Sequence, residues 1–278
     1  MIRIQNLDFS FHKKVVFQNL NLQIEAGQIC GLFGKNGVGK TTLLYNLTGL
    51  LFPHKGKVEV LGFEPKKRQT EFLQEIFLIT DEVYLPDMSI RQYEKTIAPF
   101  YPKFDTVQFL EFLNRFEIPS ESQINKLSLG QRKKVLISFA LATNTAIVLM
   151  DEPTNGLDIM GKTQFQKILA EQMNDDRYFI ISTHQAKDLE NLIDRLIVLD
   201  NEKILFNQSV RTISEKLNFK ISENKAELSK AFYAETNFFG NVMVLPNHEN
   251  TENRVDLELL YKAVTTNSEQ INQWFNSK

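Results

Sequence analysis

A stretch of twelve residues near the start of this 278-residue chain has the composition of a site that binds phosphate groups. It runs from Gly31 to Thr42 (GLFGKNGVGKTT) and holds four glycines, two lysines and two threonines. Glycines let backbone N–H groups turn towards anionic oxygens without a side-chain clash. Lysine adds positive charge, and a threonine hydroxyl is a ligand for Mg²⁺. These residue types indicate a nucleotide phosphate as the ligand.

The spacing within this stretch matches the P-loop, with Gly34, four residues, Gly39, Lys40 and Thr41 in order. An apolar run precedes the loop and a stripe of leucines follows it, so the N-terminus of a helix would add partial positive charge. We expect Lys40 to reach the β- and γ-phosphates and Thr41 to bind Mg²⁺. An ordinary glycine-rich turn is the alternative, which the strand-loop-helix context disfavours. The predicted nucleotide ligands of this stretch are Gly34, Asn36, Gly37, Gly39, Lys40, Thr41 and Thr42.

Two acids follow a second apolar run, AIVLM, which predicts a buried strand up to Met150. Ligands bind at the carboxyl edge of such sheets in open α/β folds. Asp151 would hold Mg²⁺ through its water shell, and Glu152 would orient or deprotonate an attacking water. Acids end many strands, so the pattern is weak in isolation. Together with the P-loop it indicates nucleotide hydrolysis rather than binding alone.

Composition and charge narrow the class of protein. The formal net charge is -2, so we expect no general attraction to nucleic acid or anionic lipid. Short basic clusters, among them Arg132 to Lys134, are expected to be solvated surface. The single cysteine, Cys30, cannot form an intramolecular disulfide, which fits a reducing compartment. We find no signal peptide and no run of about 18 apolar residues, so we do not expect the chain to span a membrane.

The apolar pattern predicts an α/β fold. The start of the chain alternates as β-strands do, and the leucine stripe after Lys40 predicts a helix that ends at Pro53. Three apolar strands, AIVLM, YFIIS and LIVLD, are separated by stretches that we expect to be helical, which indicates a covered, mainly parallel sheet. Near the C-terminus, a polar, turn-like segment, Asn247 to Asn253, precedes a helix predicted from Leu257 to Val264.

Three further motifs carry a resemblance to a known family. LSLGQ spans Leu127 to Gln131, DEPTNGLD spans Asp151 to Asp158, and STH spans Ser182 to His184. In this order after a P-loop, they resemble the nucleotide-binding subunit of ATP-binding cassette (ABC) proteins. LSLGQ is the specific part, because ordinary P-loop ATPases lack it.

The resemblance covers roughly residues 1–215 and implies their fold. It implies an α/β P-loop NTPase with a mainly parallel sheet, an N-terminal antiparallel β subdomain and an inserted helical signature subdomain at about residues 84–141. Residues 216–278 would form a small C-terminal extension. The apolar helix of that extension and Trp274 would pack onto the main body.

The resemblance also implies that the ATP site is shared between two subunits. Ser128 and the backbone of Gly130, with Gln131 beside them, would contact the γ-phosphate of ATP held by a second subunit. Asp158 would lie in a segment that touches the opposite subunit. A purely structural role for Ser128 as a helix N-cap is compatible with this contact.

Two more residues acquire roles from the resemblance. His184 would bridge the γ-phosphate and the catalytic acid, so that Glu152, His184 and Lys40 would form the catalytic set. Phe11 would stack on adenine; the alternative is that it is one of the many phenylalanines of the sheet core.

Two positions depart from the family pattern. Leu129 replaces the usual first glycine of the signature, with a modest expected effect because the backbone of Gly130 can still approach phosphate. Asp81, or Glu82 beside it, lies where the family has a glutamine. An acid there could reach the metal shell, but it adds negative charge near the γ-phosphate. From charge alone we expect Asp81→Gln to raise ATP affinity or turnover.

The function implied by the resemblance is that of an ATP-hydrolysing subunit of an ABC transporter, using ATP and Mg²⁺. It would act as a homodimer or as a heterodimer with a second ABC ATPase subunit, powering membrane-spanning permease subunits from the cytoplasmic face of the membrane. An exporter is favoured over an importer, and nucleic acid is not expected as a partner. The alternatives are an ABC ATPase that acts on ribosomes or DNA and a nucleotide switch that hydrolyses ATP weakly.

Overall fold

A computed structural model describes residues 1–237, 240–248 and 252–276 of the chain. A six-stranded sheet forms its centre, in the order β5-β6-β7-β3-β8-β9, with β9 antiparallel to β8 and the other neighbours parallel. Its strands are β3 (Gln28–Phe33), β5 (Ile76–Ile79), β6 (Ile147–Asp151), β7 (Tyr178–Thr183), β8 (Arg195–Asp200) and β9 (Lys203–Ser209). The mainly parallel sheet predicted from the sequence is confirmed.

A second, three-stranded sheet is formed by the start of the chain. Strands β1 (Ile2–Phe11), β2 (Lys14–Ile24) and β4 (Lys55–Val60) pair antiparallel in the order β2-β1-β4. This sheet and the first two helices cover one face of the central sheet, while most of the later helices cover the opposite face. The parallel strands of the central sheet are therefore buried on both faces, as their continuous apolar composition predicts, whereas the edge strand β9 is half-buried.

Nine α-helices are present in the described ranges. Their bounds are α1 (Lys40–Thr48), α2 (Thr70–Leu73), α3 (Ile90–Ile97), α4 (Thr106–Arg115), α5 (Leu129–Ala142), α6 (Ile159–Glu171), α7 (Val210–Lys216), α8 (Lys225–Leu228) and α9 (Leu257–Asn276). Helices α3, α4 and α5 make up the helical region predicted at about residues 84–141. None of the helices in the described ranges has the length and apolar character needed to cross a bilayer.

Two local expectations were wrong. Helix α1 ends at Thr48 rather than near Pro53, because Gly49 adopts a left-handed conformation (φ 69°) that terminates the helix. The connection between β7 and β8 contains a 3₁₀ turn, Ala186–Asp188, in place of the expected α-helix. The apolar residues of this connection still pack inward, as the burial of Leu189 shows, but without regular hydrogen bonds of an α-helix.

The C-terminal part of the chain contains three strands that the sequence analysis did not predict and a helix longer than predicted. Strands β10 (Leu217–Ser222), β11 (Tyr233–Asn237) and β12 (Gly240–Pro246) form a third sheet, in the order β10-β12-β11. Helix α9 extends beyond its predicted end and packs against β8 and β9 of the central sheet. The turn predicted at Asn247 to Asn253 lies partly outside the described residues. The indole nitrogen of Trp274 donates to the Lys216 carbonyl at 2.8 Å, which places this side chain at the junction of α7 with the C-terminal extension.

Candidate functional site

The predicted nucleotide residues converge at the carboxyl ends of the central parallel strands. A cleft of about 380 Å³ opens there between the P-loop, the ends of β5, β6 and β7, and the N-terminal sheet. This location follows from the topology, since the carboxyl ends of parallel strands meet at one edge of the sheet. The cleft is lined by Phe11, Lys14, Val16, Asn36, Gly37, Gly39, Lys40, Thr41, Thr42, Asp81, Asp151, Glu152, Asn155 and His184.

The P-loop is shaped by a glycine that no other residue can replace without strain. Gly39 has a φ of 115° at the N-terminus of α1, and a Cβ there would lie 2.8 Å from Val16 Cγ1. The next residue, Lys40, is buried and its ammonium donates to the Gly34 carbonyl at 2.7 Å. Lys40 is thus held inside the loop, with its charge next to the backbone N–H groups at the helix N-terminus.

Asp151, at the end of β6, lies beside the hydroxyl that follows Lys40. One carboxylate oxygen accepts a hydrogen bond from the Thr41 hydroxyl, and the other accepts one from the Ser182 hydroxyl of β7. Asp151 is buried, so these two bonds fix the orientation of its carboxylate. A carboxylate and a hydroxyl side by side at the mouth of a phosphate loop are the protein ligands that Mg²⁺ has in nucleotide sites.

Glu152 is buried and faces two cationic or ionisable partners. Its Oε1 lies 2.8 Å from His184 Nδ1 and 3.6 Å from Lys40 Nζ. Its Oε2 is also buried and has no hydrogen-bond partner among the described residues. An orphaned carboxylate oxygen in a cleft can accept a proton from a water placed against it. The pair predicted from the sequence as acid and switch histidine is in direct contact.

Asp81 also lines the cleft, and its partners were not predicted. Its Oδ1 lies 3.3 Å from Lys133 Nζ and 3.3 Å from Asn155 Nδ2. Lys133 is 1% exposed, so the expectation that the basic cluster from Arg132 to Lys134 is solvated surface was wrong for this residue. Burial lowers the pKa of Lys133, and the negative charge of Asp81 opposes that shift.

An aromatic side chain forms one wall of the cleft near its mouth. Phe11 is 46% exposed and packs edge-on against Phe9, with ring centroids 4.9 Å apart. It therefore does not belong to the sheet core, which was the alternative. Lys14 and Val16 from β2 lie beside it in the same lining. An exposed ring face beside a phosphate loop offers a stacking surface for a base.

The signature segment, residues 127–131, does not take part in this cleft. Ser128 caps α5 by accepting a hydrogen bond from the Gln131 N–H, and the Gln131 side chain accepts one from the Ser128 N–H. A Cβ on Gly130 would lie 2.5 Å from the Gly156 carbonyl, so only glycine fits there. Ser128, Gly130 and Gln131 are absent from the cleft lining, and Leu129 is 54% exposed.

Asp158 lies next to this segment and links it to α6. Its carboxylate caps α6 through the Gly161 N–H and pairs with Lys134 at 3.0 Å. The hydrogen bond from Lys134, followed by that from Gly161, lowers the pKa of Asp158. Next in the chain, Ile159 and Met160 are exposed apolar side chains. The signature segment and the start of α6 therefore present one outward surface.

The donor set of the cleft fits a nucleoside triphosphate with Mg²⁺. Lys40 and the P-loop N–H groups suit the phosphates, and Phe11 suits the base. Thr41 and Asp151 would hold Mg²⁺, which when bound would neutralise phosphate charge. No group of three or more His, Cys, Asp or Glu side chains gathers in the described ranges to form an all-protein metal cage. One carboxylate and one hydroxyl suffice beside phosphates, because Mg²⁺ keeps several waters.

Comparison with known proteins identifies the family. The family model for ABC transporter proteins matches residues 17–155, which is half of the chain. An uncharacterized ABC transporter ATP-binding protein of Methanocaldococcus jannaschii is 30% identical over 226 residues, covering 78% of this chain and 81% of that protein. The chain belongs to the ABC transporter family. It is an ATP-binding subunit of the ABC ATPase type.

Solved structures agree with this assignment at the level of the fold. A structure described as the ATP binding subunit of an ABC transporter has a TM-score of 0.70 and 20% identity, covering 77% of this chain and 91% of that chain. A dimeric cassette in a post-hydrolysis state, bound to ADP and Pi, has a TM-score of 0.66 and 22% identity, covering 75% and 98%. The P-loop NTPase fold expected from the resemblance is therefore confirmed.

Proposed function

We propose that this chain hydrolyses ATP with Mg²⁺ to power transport by separate membrane-spanning subunits, and that the transporter is an exporter. The observation that carries the ATPase part is the contact of Glu152 with both Lys40 and His184 in the cleft. Binding alone needs the P-loop, but it does not need a buried acid with one free oxygen beside it. This arrangement argues against a switch that only binds nucleotide.

Each side chain of the cleft has a defined task in this proposal. Lys40 binds the outer phosphates and leaves Glu152 as they arrive, because both groups compete for its charge. Glu152 then orients the attacking water and takes its proton on a carboxylate oxygen. His184 holds the Glu152 carboxylate in place through its Nδ1 and offers its other nitrogen to the γ-phosphate. Asp151 and Thr41 would hold Mg²⁺.

A head-to-tail dimer would complete the site. The signature segment lies outside its own cleft, so Ser128 and Gly130 are free to meet the γ-phosphate bound by a second chain. The N-terminus of α5 would direct its partial positive charge at that phosphate. A cassette that shares this fold is described as dimeric and bound to ADP and Pi, which supports a dimer. Two identical chains or two different cassettes would both satisfy this geometry.

The helical region offers a surface on which a permease subunit could dock. A groove of about 760 Å³ runs along α3 and the turns that follow it. Its lining combines aromatic and charged side chains, which suits a protein segment rather than a lipid tail. The residues include Arg91, Glu94, Tyr101, Phe104 and Glu121. Docking there would place the chain on the cytoplasmic face of the membrane.

The direction of transport is the most detailed part of the proposal. Relatives named for lantibiotic transport in Streptococcus pyogenes and for molybdate import in Haemophilus influenzae are 28% and 27% identical to this chain. The segment YLPDMSI and the C-terminal extension favour the exporter side by resemblance. Reconstitution with the membrane-spanning partner tests it: with the cassette outside the vesicle, ATP should drive cargo into the lumen, and the opposite movement would indicate import.

The ATPase and the dimer are tested together by Glu152→Gln. Glutamine keeps the shape but cannot take a proton, so turnover should fall by roughly 10²- to 10⁴-fold while ATP affinity changes little. The variant should elute as a dimer in size-exclusion chromatography with ATP and Mg²⁺, and as a monomer without nucleotide. Glu111→Gln, on the surface of α4, is the matched control and should behave as wild type. A Glu152→Gln protein that stays monomeric at saturating ATP would contradict the dimer.

A further inference from the structure

One lysine of the signature helix points into the protein instead of into solvent. Lys133 lies five positions after Ser128 on α5 and is 1% exposed. Its ammonium donates to the Glu152 backbone carbonyl at 2.8 Å and lies 3.3 Å from Asp81 Oδ1. A single side chain thus connects three parts of the site: the signature helix, the loop after β5 and the residue that carries the catalytic carboxylate.

The charge of this lysine needs a counter-ion where it lies. An ammonium removed from water is costly unless a carboxylate and hydrogen-bond acceptors replace its hydration. Asp81 supplies that carboxylate, and the Asn155 side chain donates to the same carboxylate oxygen at 3.3 Å. The family glutamine at the position of Asp81 would carry no charge for this purpose. The departure from the family pattern at Asp81 is therefore matched by the buried cation at Lys133.

The backbone of Glu152 needs the support that Lys133 gives it. Glu152 has a φ of 47°, in the left-handed region that non-glycine residues occupy only when their surroundings fix them. Its carbonyl accepts hydrogen bonds from Lys133 Nζ and from the Asn155 N–H at 3.2 Å. Its carboxylate projects the other way, to His184. The direction of the carboxylate therefore depends on how firmly the carbonyl is held.

We propose that Lys133 is a positioning residue that ties the signature helix to the backbone of Glu152, with Asp81 as its counter-ion. A contact made at Ser128 by the second chain would reach Glu152 through one helix and one side chain. The inference rests on the proposed function, in which Glu152 acts on water. It also reverses the expectation from charge alone, because removal of Asp81 leaves a buried ammonium without its carboxylate.

A cycle of Lys133→Met, Asp81→Asn and the double variant separates positioning from stability. Lys133→Met removes the donor to Glu152, so kcat should fall about tenfold while KM for ATP stays within about twofold. Asp81→Asn should lower the Tm of the nucleotide-free protein, because it leaves the buried ammonium of Lys133 without the carboxylate that pairs with it. The double variant should regain that Tm but keep the low kcat of Lys133→Met. Lys167→Met, an exposed lysine on α6, is the matched control.

Each result of this cycle decides the proposal. If kcat follows Tm across the three variants, or if Lys133→Met keeps kcat within about twofold of wild type, Lys133 is only structural and the inference is wrong. If Lys133→Met does not fold, the kinetics of Asp81→Asn test the proposal instead. A kcat at least about threefold lower than wild type at unchanged KM supports a positioning role for Lys133, and an unchanged kcat overturns it. A wild-type protein without ATPase activity would instead overturn the proposed function, and the Tm measurements would still show whether the ion pair exists.

Discussion

The cleft and the signature segment, which the proposed function joins into one ATP site, differ in how complete they are within one chain. In the cleft, charged groups are buried and paired: Lys40 with Glu152, and Glu152 with His184. In the signature segment, the side chains of Ser128 and Gln131 each bond to the backbone N–H of the other, and neighbouring apolar side chains such as Ile159 are exposed. One half of the site is assembled by folding, and the other half is left on the surface.

This difference indicates what each half requires. Buried charges must find partners during folding, because an unpaired buried charge is costly. The signature segment has no such constraint, since its polar groups are satisfied by the cap of α5. The signature segment is therefore available to bind a phosphate from outside the chain. Substitutions in the cleft should damage the chain that carries them, whereas substitutions in the signature segment should damage the site of the partner chain.

The largest effect is expected from Lys40→Ala, which removes the central cation of the cleft. ATP hydrolysis should fall by roughly 10²- to 10³-fold or more, and ATP binding should weaken strongly, because Lys40 is the ammonium that the P-loop holds at its centre. Steady-state ATPase assays and calorimetric titration with ATP measure both effects. Lys66→Ala, on an exposed turn, is the control for loss of a lysine. Near-normal turnover in purified Lys40→Ala would show that the cleft is not the hydrolytic site.

The second-largest effect, expected from Ser128→Arg, distinguishes an ATP site shared between two chains from a site within one chain. Ser128→Arg should abolish turnover although the cleft of its own chain is untouched, because the arginine blocks the γ-phosphate of the partner. Mixing it with Lys40→Ala should restore roughly a quarter of the wild-type rate: random exchange makes half of the dimers mixed, and each mixed dimer has one intact site of two. The assay is ATPase activity after subunit exchange, with mixed dimers verified by two affinity tags.

A matched control for this experiment is present in the chain. Ser89 caps α3 with the same capping box, formed with Gln92, and lies outside both halves of the site. Ser89→Arg should lose about 1 kcal/mol of cap stability but keep ATPase activity. If Ser128→Arg and Ser89→Arg lose activity equally, the loss at Ser128 reflects the cap alone. If verified mixed dimers gain no activity, the shared site is wrong.

The parts that the sequence could predict are those determined by local pattern. The P-loop spacing and the apolar strands indicated the cleft because the strand-loop-helix order is itself a local feature. Ser128 and Asp158 were recognised by motif, and their outward position is consistent with a partner chain. Strand β11, YAETN, was missed because its polar and apolar residues do not alternate. Strand β10, LNFKIS, does alternate as a half-buried strand should, so this local signal was present and overlooked.

The unpredicted part of the site depends on contacts between distant positions. Lys133 lies in a run of three basic residues, which is typical of solvated surface. Its burial becomes visible only when Asp81, 52 positions earlier, and Glu152, 19 positions later, are brought to the same place. Helical spacing puts Lys133 on the same face as the buried residues Ile137 and Ala140, but it does not show that a carboxylate lies there.

The smallest effect is expected at the mouth of the cleft, from Phe11→Ala. Base stacking on an aromatic side chain is worth about 1 to 3 kcal/mol. Because Phe11 offers one half-exposed ring, we expect the lower end of this range, so the Kd for ATP should rise about fivefold. Because every base has a π-face, the Kd for GTP should rise by the same factor. Binding of inorganic tripolyphosphate should not change, since it has no base. Phe11→Trp should retain ATP binding. If Phe11→Ala weakens tripolyphosphate as much as ATP, the ring supports the P-loop rather than the base, and the stacking assignment fails while the comparison between cleft and signature segment stands.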